Sequence, residues 1–170
     1  NGAVEDRAAI GWYDIGLQAL KNEAGEVGFT VKVGGGMGRT PVIAPVVRDF
    51  LPWDQLLNYI EAVVRVYNRY GRRDNKWKAR IKILVKAEGQ RFIDAVEAEY
   101  RAIVEQDGAP HTITPAELAR VQASFVQPEL RRANLPSEVS ITARPFQRWL
   151  TQNVRTHRIA GLSVVTLSFK

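Results

Sequence analysis

The stretch Val27-Gly28-Phe29-Thr30-Val31-Lys32-Val33-Gly34-Gly35-Gly36-Met37-Gly38-Arg39-Thr40-Pro41 passes without a break from strict alternation into a glycine run. Val27, Phe29, Val31 and Val33 fall on one side and Gly28, Thr30 and Lys32 on the other, the period of a half-buried strand. Upstream, residues Ala8 to Leu20 are rich in Ile, Trp, Tyr and Leu and predict a second strand. Asn22 to Glu26 supplies the turn, so the pair reads as an antiparallel hairpin that delivers the chain into the glycines. Glycines permit positive φ and close backbone approach, so an anionic ligand can sit against such a loop. It is not a nucleotide loop: the Lys-Ser/Thr of a P-loop is missing, the dinucleotide spacing is wrong, and Pro41 and Pro45 prevent a helix from opening directly behind.

Downstream the period changes. Between Pro52 and Tyr70 the apolar residues Leu56, Leu57, Ile60, Val63, Val64 and Tyr67 recur at steps of three and four, one face of a helix that Gly71 ends. A second helix is predicted from Gln90 to about Gln106, with Phe92, Val96, Tyr100, Ile103 and Val104 on its core side. Thr114-Pro115-Ala116-Glu117 is a capping box that starts a third, ending near Pro128. Pro145 opens a fourth with Phe146, Trp149, Leu150 and Val154, and Leu162 to Phe169 alternates as a strand whose partners are not in view. The fold class is α+β, an antiparallel hairpin followed by a mostly helical segment. Residues 127–137, with Pro128 and Pro136, read as a linker.

Length and composition narrow the functions open to the chain. Its 170 residues suit one modest domain, and 45% hydrophobic with 25% charged residues is a globular balance. No apolar stretch approaches the roughly 20 residues of a membrane span, so no membrane partner is expected. Nothing in Asn1 to Arg7 resembles a secretory signal, and the expected address is cytoplasmic. The chain has no cysteine, which removes disulfides, thiolate nucleophiles and sulfur-ligated metal from these residues. Its two histidines, His111 and His157, lie 46 residues apart and read as surface histidines, so no metal site is assigned.

The net charge of +6 is local. Ten cations, Arg65, Arg69, Arg72, Arg73, Lys76, Lys78, Arg80, Lys82, Lys86 and Arg91, stand in one window against Asp74 and Glu88, while the remaining 143 residues are slightly acidic. Arg65 and Arg69 complement a helix C-terminus. That reason does not reach past Gly71, where cations crowded together repel one another unless an anion is bound. If the run Lys76, Lys78, Arg80, Lys82 is extended, all four leave one face as a comb; if it is helical, Lys78, Lys82 and Lys86 share a face instead.

These segments taken together, Val33 to Pro41, Phe50-Leu51-Pro52, Val66 to Lys76 and Lys78-Ala79-Arg80-Ile81-Lys82, resemble the siroheme-dependent sulfite and nitrite reductases. The resemblance is strongest from Asp14 to Gly89 and weakens through residues 90 to 156. It implies an oxidoreductase that reduces sulfite to sulfide or nitrite to ammonia, with siroheme and a 4Fe-4S cluster in the full-length protein and a flavoprotein reductase or ferredoxin as electron donor. By resemblance Arg80 and Lys82 are the catalytic cations that hold the oxyanion and polarise its oxygen. Arg72, Arg73, Lys76 and Lys78 would pair the carboxylates of the macrocycle, and Gly35, Gly36 and Arg39 would line its edge.

The family's cluster cysteines and the further arginines of its anion pocket have no counterpart here. The resemblance therefore implies an internal piece, inactive alone and binding no cofactor by itself. Residues 1–126 would belong to the first siroheme-binding domain with its helical extension, 127–160 to a linker and helix, and 161–170 to the start of a second half domain. Such a piece exposes an unpaired edge at Leu162 to Phe169, so self-association through that strand is expected. A nucleic-acid-binding module is the competing reading, because the 65–91 cluster with Trp77 and Tyr70 also suits phosphates and stacked bases. Against it, the positive run stops at Arg91 and no nucleic-acid motif is present.

Overall fold

Alternation in the first fifty residues resolves into three antiparallel strands rather than two. In the computed structural model, which describes residues 5–126, 143–157 and 159–169, strand β1 (Ile15–Lys21) pairs with β2 (Val27–Val33) from Ile15↔Val33 to Lys21↔Val27. Asn22 closes the connecting turn by accepting the Glu26 amide at 2.9 Å. The predicted strand from Ala8 begins late, because Asp6 captures the Ile10 amide at 2.9 Å and the chain turns once as a 3-10 helix over Ile10–Trp12. Strand β3 (Val46–Pro52) was not expected; it joins the free side of β2 from Gly28↔Pro52 onward. Register shifts between Phe29 and Val31 and between Val31 and Lys32 break the alternation of the pair.

Three helices close the core over this sheet. Helix α1 (Leu56–Tyr70) contributes Tyr59, Ala62, Val63 and Val66, α2 (Ile81–Glu88) Leu84 and Val85, and α3 (Gln90–Glu105) Phe92, Val96 and Ile103; from the strands come Val31, Val33 and Leu51. The buried stripe of α1 is rotated from the expected one, since Leu57 is 48% exposed while Tyr59, Ala62 and Val66 are sealed. The polar member of that stripe is Asn58, which donates to Thr112 at 3.1 Å and accepts the His111 amide at 2.9 Å. Helix α2 takes up part of the run that the sequence left open between extended and helical: it holds Lys82 and Lys86, while Lys76 and Lys78 lie before it. Helix α3 keeps the expected bounds to within a residue and buries Phe92, Val96 and Ile103 as expected, but Val104, placed on the core side, is 38% exposed.

Helix α4 (Pro115–Ser124) starts on the predicted capping box, with Glu117 N donating to Thr114 Oγ1 at 3.2 Å and Thr114 N donating to Glu117 Oε2 at 3.1 Å. The proposed linker at 127–137 lies outside the described residues. The chain divides into two units at residues 126 and 127. In the second, α5 (Arg144–Asn153) opens at Pro145 as predicted and stacks Phe146 on Trp149 with ring centroids 5.8 Å apart. It runs into β4 (Val154–Thr156), which pairs with β5 (Ser163–Val165). That pairing corrects the expectation of a partnerless strand over Leu162 to Phe169: the chain supplies its own partner, and the strand is three residues long. The chain is an α+β protein, and no described helix is long and apolar enough to cross a membrane.

Candidate functional site

The glycine loop between β2 and β3 is shaped by what lies beneath it. Gly34 N donates to Asp14 O at 2.8 Å and Gly35 N to Tyr13 O at 3.0 Å, which ties the loop to the segment entering β1. Gly36 and Val42 then bridge through both backbone pairs at 2.9 and 3.0 Å. Two of these glycines are required by space. A Cβ on Gly35 would stand 2.3 Å from Gly11 O, and one on Gly36 would stand 2.9 Å from both Arg80 Nη2 and Lys82 Cδ.

Lys82 closes the loop from inside. Its side chain leaves the first turn of α2, and Nζ donates to Gly36 O at 3.4 Å, Met37 O at 2.9 Å and Thr40 O at 2.8 Å. The residue is 7% exposed, and among the described residues no carboxylate pairs with it. The positive charge is therefore solvated by three carbonyl dipoles alone, a costly burial unless those dipoles are well placed.

Arg80 stands at the N-cap of α2 in an extended conformation and faces Asp14. Its Nε donates to Asp14 Oδ1 at 3.1 Å and its Nη2 to Oδ1 and Oδ2 at 3.1 and 2.9 Å, a forked pair that leaves Nη1 without a hydrogen bond among the described residues. The structure thus brings Arg80, Lys82, Gly35 and Gly36 into one place. Asp14 lies 66 residues before Arg80, and no local pattern in the sequence marks it as a partner.

The remaining cations are placed differently from either expected pattern. The comb does not form, because residues 75–78 turn, with Lys78 N donating to Asn75 O at 2.8 Å and Trp77 N to Asn75 Oδ1 at 3.0 Å. Nor does the helical stripe, since Lys82 is buried where Lys78 and Lys86 are exposed. Arg72 pairs with Asp74 at 2.8 Å, which raises the guanidinium and holds the Asp74 carboxyl below its usual range. Arg73 bonds Asn68 and lies 5.6 Å from the Tyr67 ring centroid. Lys76 sits 5.1 Å from the ring of Trp77, itself 81% exposed. Arg39 is exposed at the tip of the glycine loop. Arg65, expected to serve the helix end, instead joins Glu61, Glu99 and Asp107, and Arg69 joins Glu99. Beside the loop an open cavity of about 620 Å³ is lined by Ala9, Trp12, Tyr13, Met37, Gly38 and Pro41.

A glycine loop and a cationic helix start, joined through Asp14 within the first 103 residues, are the region that a known family covers. The family model described as the nitrite and sulphite reductase 4Fe-4S domain matches residues 1–103. The chain belongs to this family. Among its relatives, the NADPH sulfite reductase hemoprotein beta-component of Myxococcus xanthus is 39% identical over 83 residues, covering 45% of this chain and 15% of that protein. The ferredoxin sulfite reductase of Synechococcus elongatus is 38% identical over 97 residues, covering 51% and 15%. Of solved structures, the NirA protein of Mycobacterium tuberculosis superposes with a TM-score of 0.50 and 29% identity over 54% of this chain and 17% of that one. The chain thus spans under a fifth of the length of these relatives.

Members of the family bind siroheme and a 4Fe-4S cluster. This chain contributes no thiolate to the cluster, having no cysteine. Toward siroheme the chemistry agrees: an apolar wall at Trp12, Tyr13 and Met37 adjoins Arg39, and exposed cations stand at Arg72, Arg73, Lys76 and Lys78.

Proposed function

We propose that this chain supplies the cationic wall of the oxyanion site, and part of the carboxylate-binding rim for siroheme, in a reductase acting on sulfite or nitrite. One observation carries the reading: Arg80 and Lys82 converge on Gly36, and the buried Lys82 has no carboxylate to balance it. A small oxyanion seated there supplies the missing charge. The Lys82 bond to Gly36 O, at 3.4 Å the longest of its three, is the N–H most easily exchanged for an anion oxygen. The uncommitted Nη1 of Arg80 supplies a second donor.

Charge-assisted bonds from these two groups draw electron density from an oxygen that must leave as water, and the ammonium of Lys82 holds a proton at Nζ for it. Siroheme, when bound, would supply the redox centre that passes the donor's electrons to the oxyanion. Arg72, Arg73, Lys76 and Lys78 hold its carboxylates, with the arginines suited to forked pairs, while Gly35, Gly36 and Arg39 line its edge. The electron donor of the full-length protein is a flavoprotein reductase or a ferredoxin, a reading supported by relatives that are named for NADPH and for ferredoxin. Without cluster thiolates the chain alone does not turn over substrate. β5 keeps one edge unpaired among the described residues, and the isolated chain self-associates through 162–169.

The test uses the intact polypeptide that carries this segment. Arg80→Ala and Lys82→Met are each expected to keep the visible bands of siroheme and to lower sulfite and nitrite turnover by about 10²-fold, the scale of losing one preorganised donor. Turnover equal to the unmodified enzyme in both variants removes these cations from the reaction.

A further inference from the structure

We propose that Asp14 is a positioning residue that sets the orientation of Arg80 and the net charge of the oxyanion site, biasing it toward a singly charged anion. The inference rests on the reading of Arg80 and Lys82 as oxyanion donors. Asp14 is fixed before it meets Arg80, because its own carbonyl accepts the Gly34 amide at 2.8 Å and ties the residue to the loop. From that anchored position its carboxylate takes the Nε and Nη2 edge of the guanidinium through three contacts of 2.9 to 3.1 Å. A guanidinium is a rigid planar fork, so seizing one edge dictates where the remaining N–H groups lie. Nη1, which makes no hydrogen bond among the described residues, is left to an incoming anion.

The same contact controls charge. Asp14 cancels Arg80, so of the three groups around Gly36 only Lys82 contributes a net positive charge. Nitrite carries one negative charge, whereas fully deprotonated sulfite carries two. A site with one net positive charge separates these less than a site with two, because attraction scales with the product of charges. The Asp14–Arg80 pair is partly exposed, with side-chain accessibilities of 43% and 44%, so solvent screening keeps the difference modest.

Asp14→Asn keeps an acceptor oxygen for Arg80 but removes the charge. In the siroheme-loaded full-length enzyme this variant is expected to raise the ratio of kcat/KM for sulfite over nitrite about three- to tenfold, mostly through KM for sulfite. The shift is expected to shrink at high ionic strength. A readout independent of turnover accompanies it: added sulfite should raise the melting temperature of the variant more than that of the unmodified enzyme, while nitrite should not. Asp14→Glu keeps the charge but displaces the fork, so the ratio should stay while kcat falls for both anions.

An unchanged ratio in an Asp14→Asn enzyme that folds and holds siroheme overturns the inference. If that variant does not hold siroheme, Asp14→Glu decides, and an unaltered kcat there overturns it equally. These outcomes are separable from failure of the underlying reading. Loss of turnover in Arg80→Ala and Lys82→Met with no effect at Asp14 rejects only the role of Asp14, whereas full turnover in both cation variants rejects the site itself.

Discussion

The buried phenol of Tyr59 on α1 donates to Glu97 Oε1 on α3 at 2.8 Å, and Arg48 from β3 holds the other carboxylate oxygen at 2.5 Å. The Arg48 guanidinium also lies 5.8 Å from the Tyr59 ring centroid and 5.6 Å from that of Tyr100, so one polar cluster joins the sheet to both long helices. Burial, and then the bond to Glu97, push the phenol of Tyr59 far above its ordinary range. Tyr59→Phe removes the donor and leaves a carboxylate oxygen unsatisfied, and should cost about 2 kcal/mol of stability, read as a lower urea midpoint at unchanged slope. The sign of its pH dependence is fixed as well. A phenol held neutral in the fold contributes stability that is complete below the ordinary phenol range and is lost as pH rises above it, because the unfolded chain releases the proton first. Unmodified chain should lose stability in that alkaline window, and Tyr59→Phe should lose less.

Adjacent glycines respond differently to the same methyl group. At Gly35 an added Cβ meets backbone carbonyls of Gly11 and Tyr13 at 2.3 and 2.6 Å, so the backbone itself must shift. At Gly36 it meets Arg80 Nη2 and Lys82 Cδ, side-chain atoms that give more readily than a backbone carbonyl. Gly35→Ala is expected to lower the melting temperature clearly more than Gly36→Ala, whose cost should stay near about 1 kcal/mol. In the full-length enzyme the order reverses for function, with Gly36→Ala folding yet losing turnover. Equal melting temperatures for the two variants would contradict this account.

Replacing Lys82 by Met tests the interior of the loop. The carbonyls of Gly36, Met37 and Thr40 lose a charged donor, at a cost of about 1 to 3 kcal/mol. Amide hydrogen exchange should accelerate at Gly36 and Val42, whose mutual bridge depends on the loop staying closed, and not in α3. Exchange left unaltered at that bridge argues that another group holds the loop.

The capping box of α4 carries an acid-side signature. Donation from the Thr114 backbone, and then from its hydroxyl, holds the Glu117 carboxyl below its usual range. A carboxylate depressed in the fold contributes stability that is present above the unfolded value and disappears as pH falls through the folded one. Acid titration should therefore fray α4 as Glu117 takes up its proton, and Glu117→Gln should remove that step while lowering helicity at neutral pH. Helix signals at residues 115–124, followed by carbon chemical shifts, distinguish the two.

What could be read from the sequence was whatever its own neighbours decide. Thr114 and Glu117 satisfy each other three residues apart, and the alternation of Val27 to Val33 needs no distant information. What could not be read was set by partners far along the chain. Asn58 is buried because Thr112 and the His111 amide reach it, so the stripe of α1 turns toward Tyr59 and away from Leu57. β3 was hidden because its register shifts against β2 disrupt the period. The cation window read as a repelling cluster, yet Glu99, Asp107 and Asp14 neutralise Arg65, Arg69 and Arg80 from other elements. Lys82 stood among the expected site residues, but its inward direction depends on a helix of only eight residues.

An apolar side chain tucked under a turn holds it by a force that weakens as water becomes colder. Here the corner between β2 and β3 is gathered around an ammonium instead. Chilling weakens the packing between sheet and helices without weakening that grip to the same degree, so near freezing this corner becomes one of the more durable parts of the molecule.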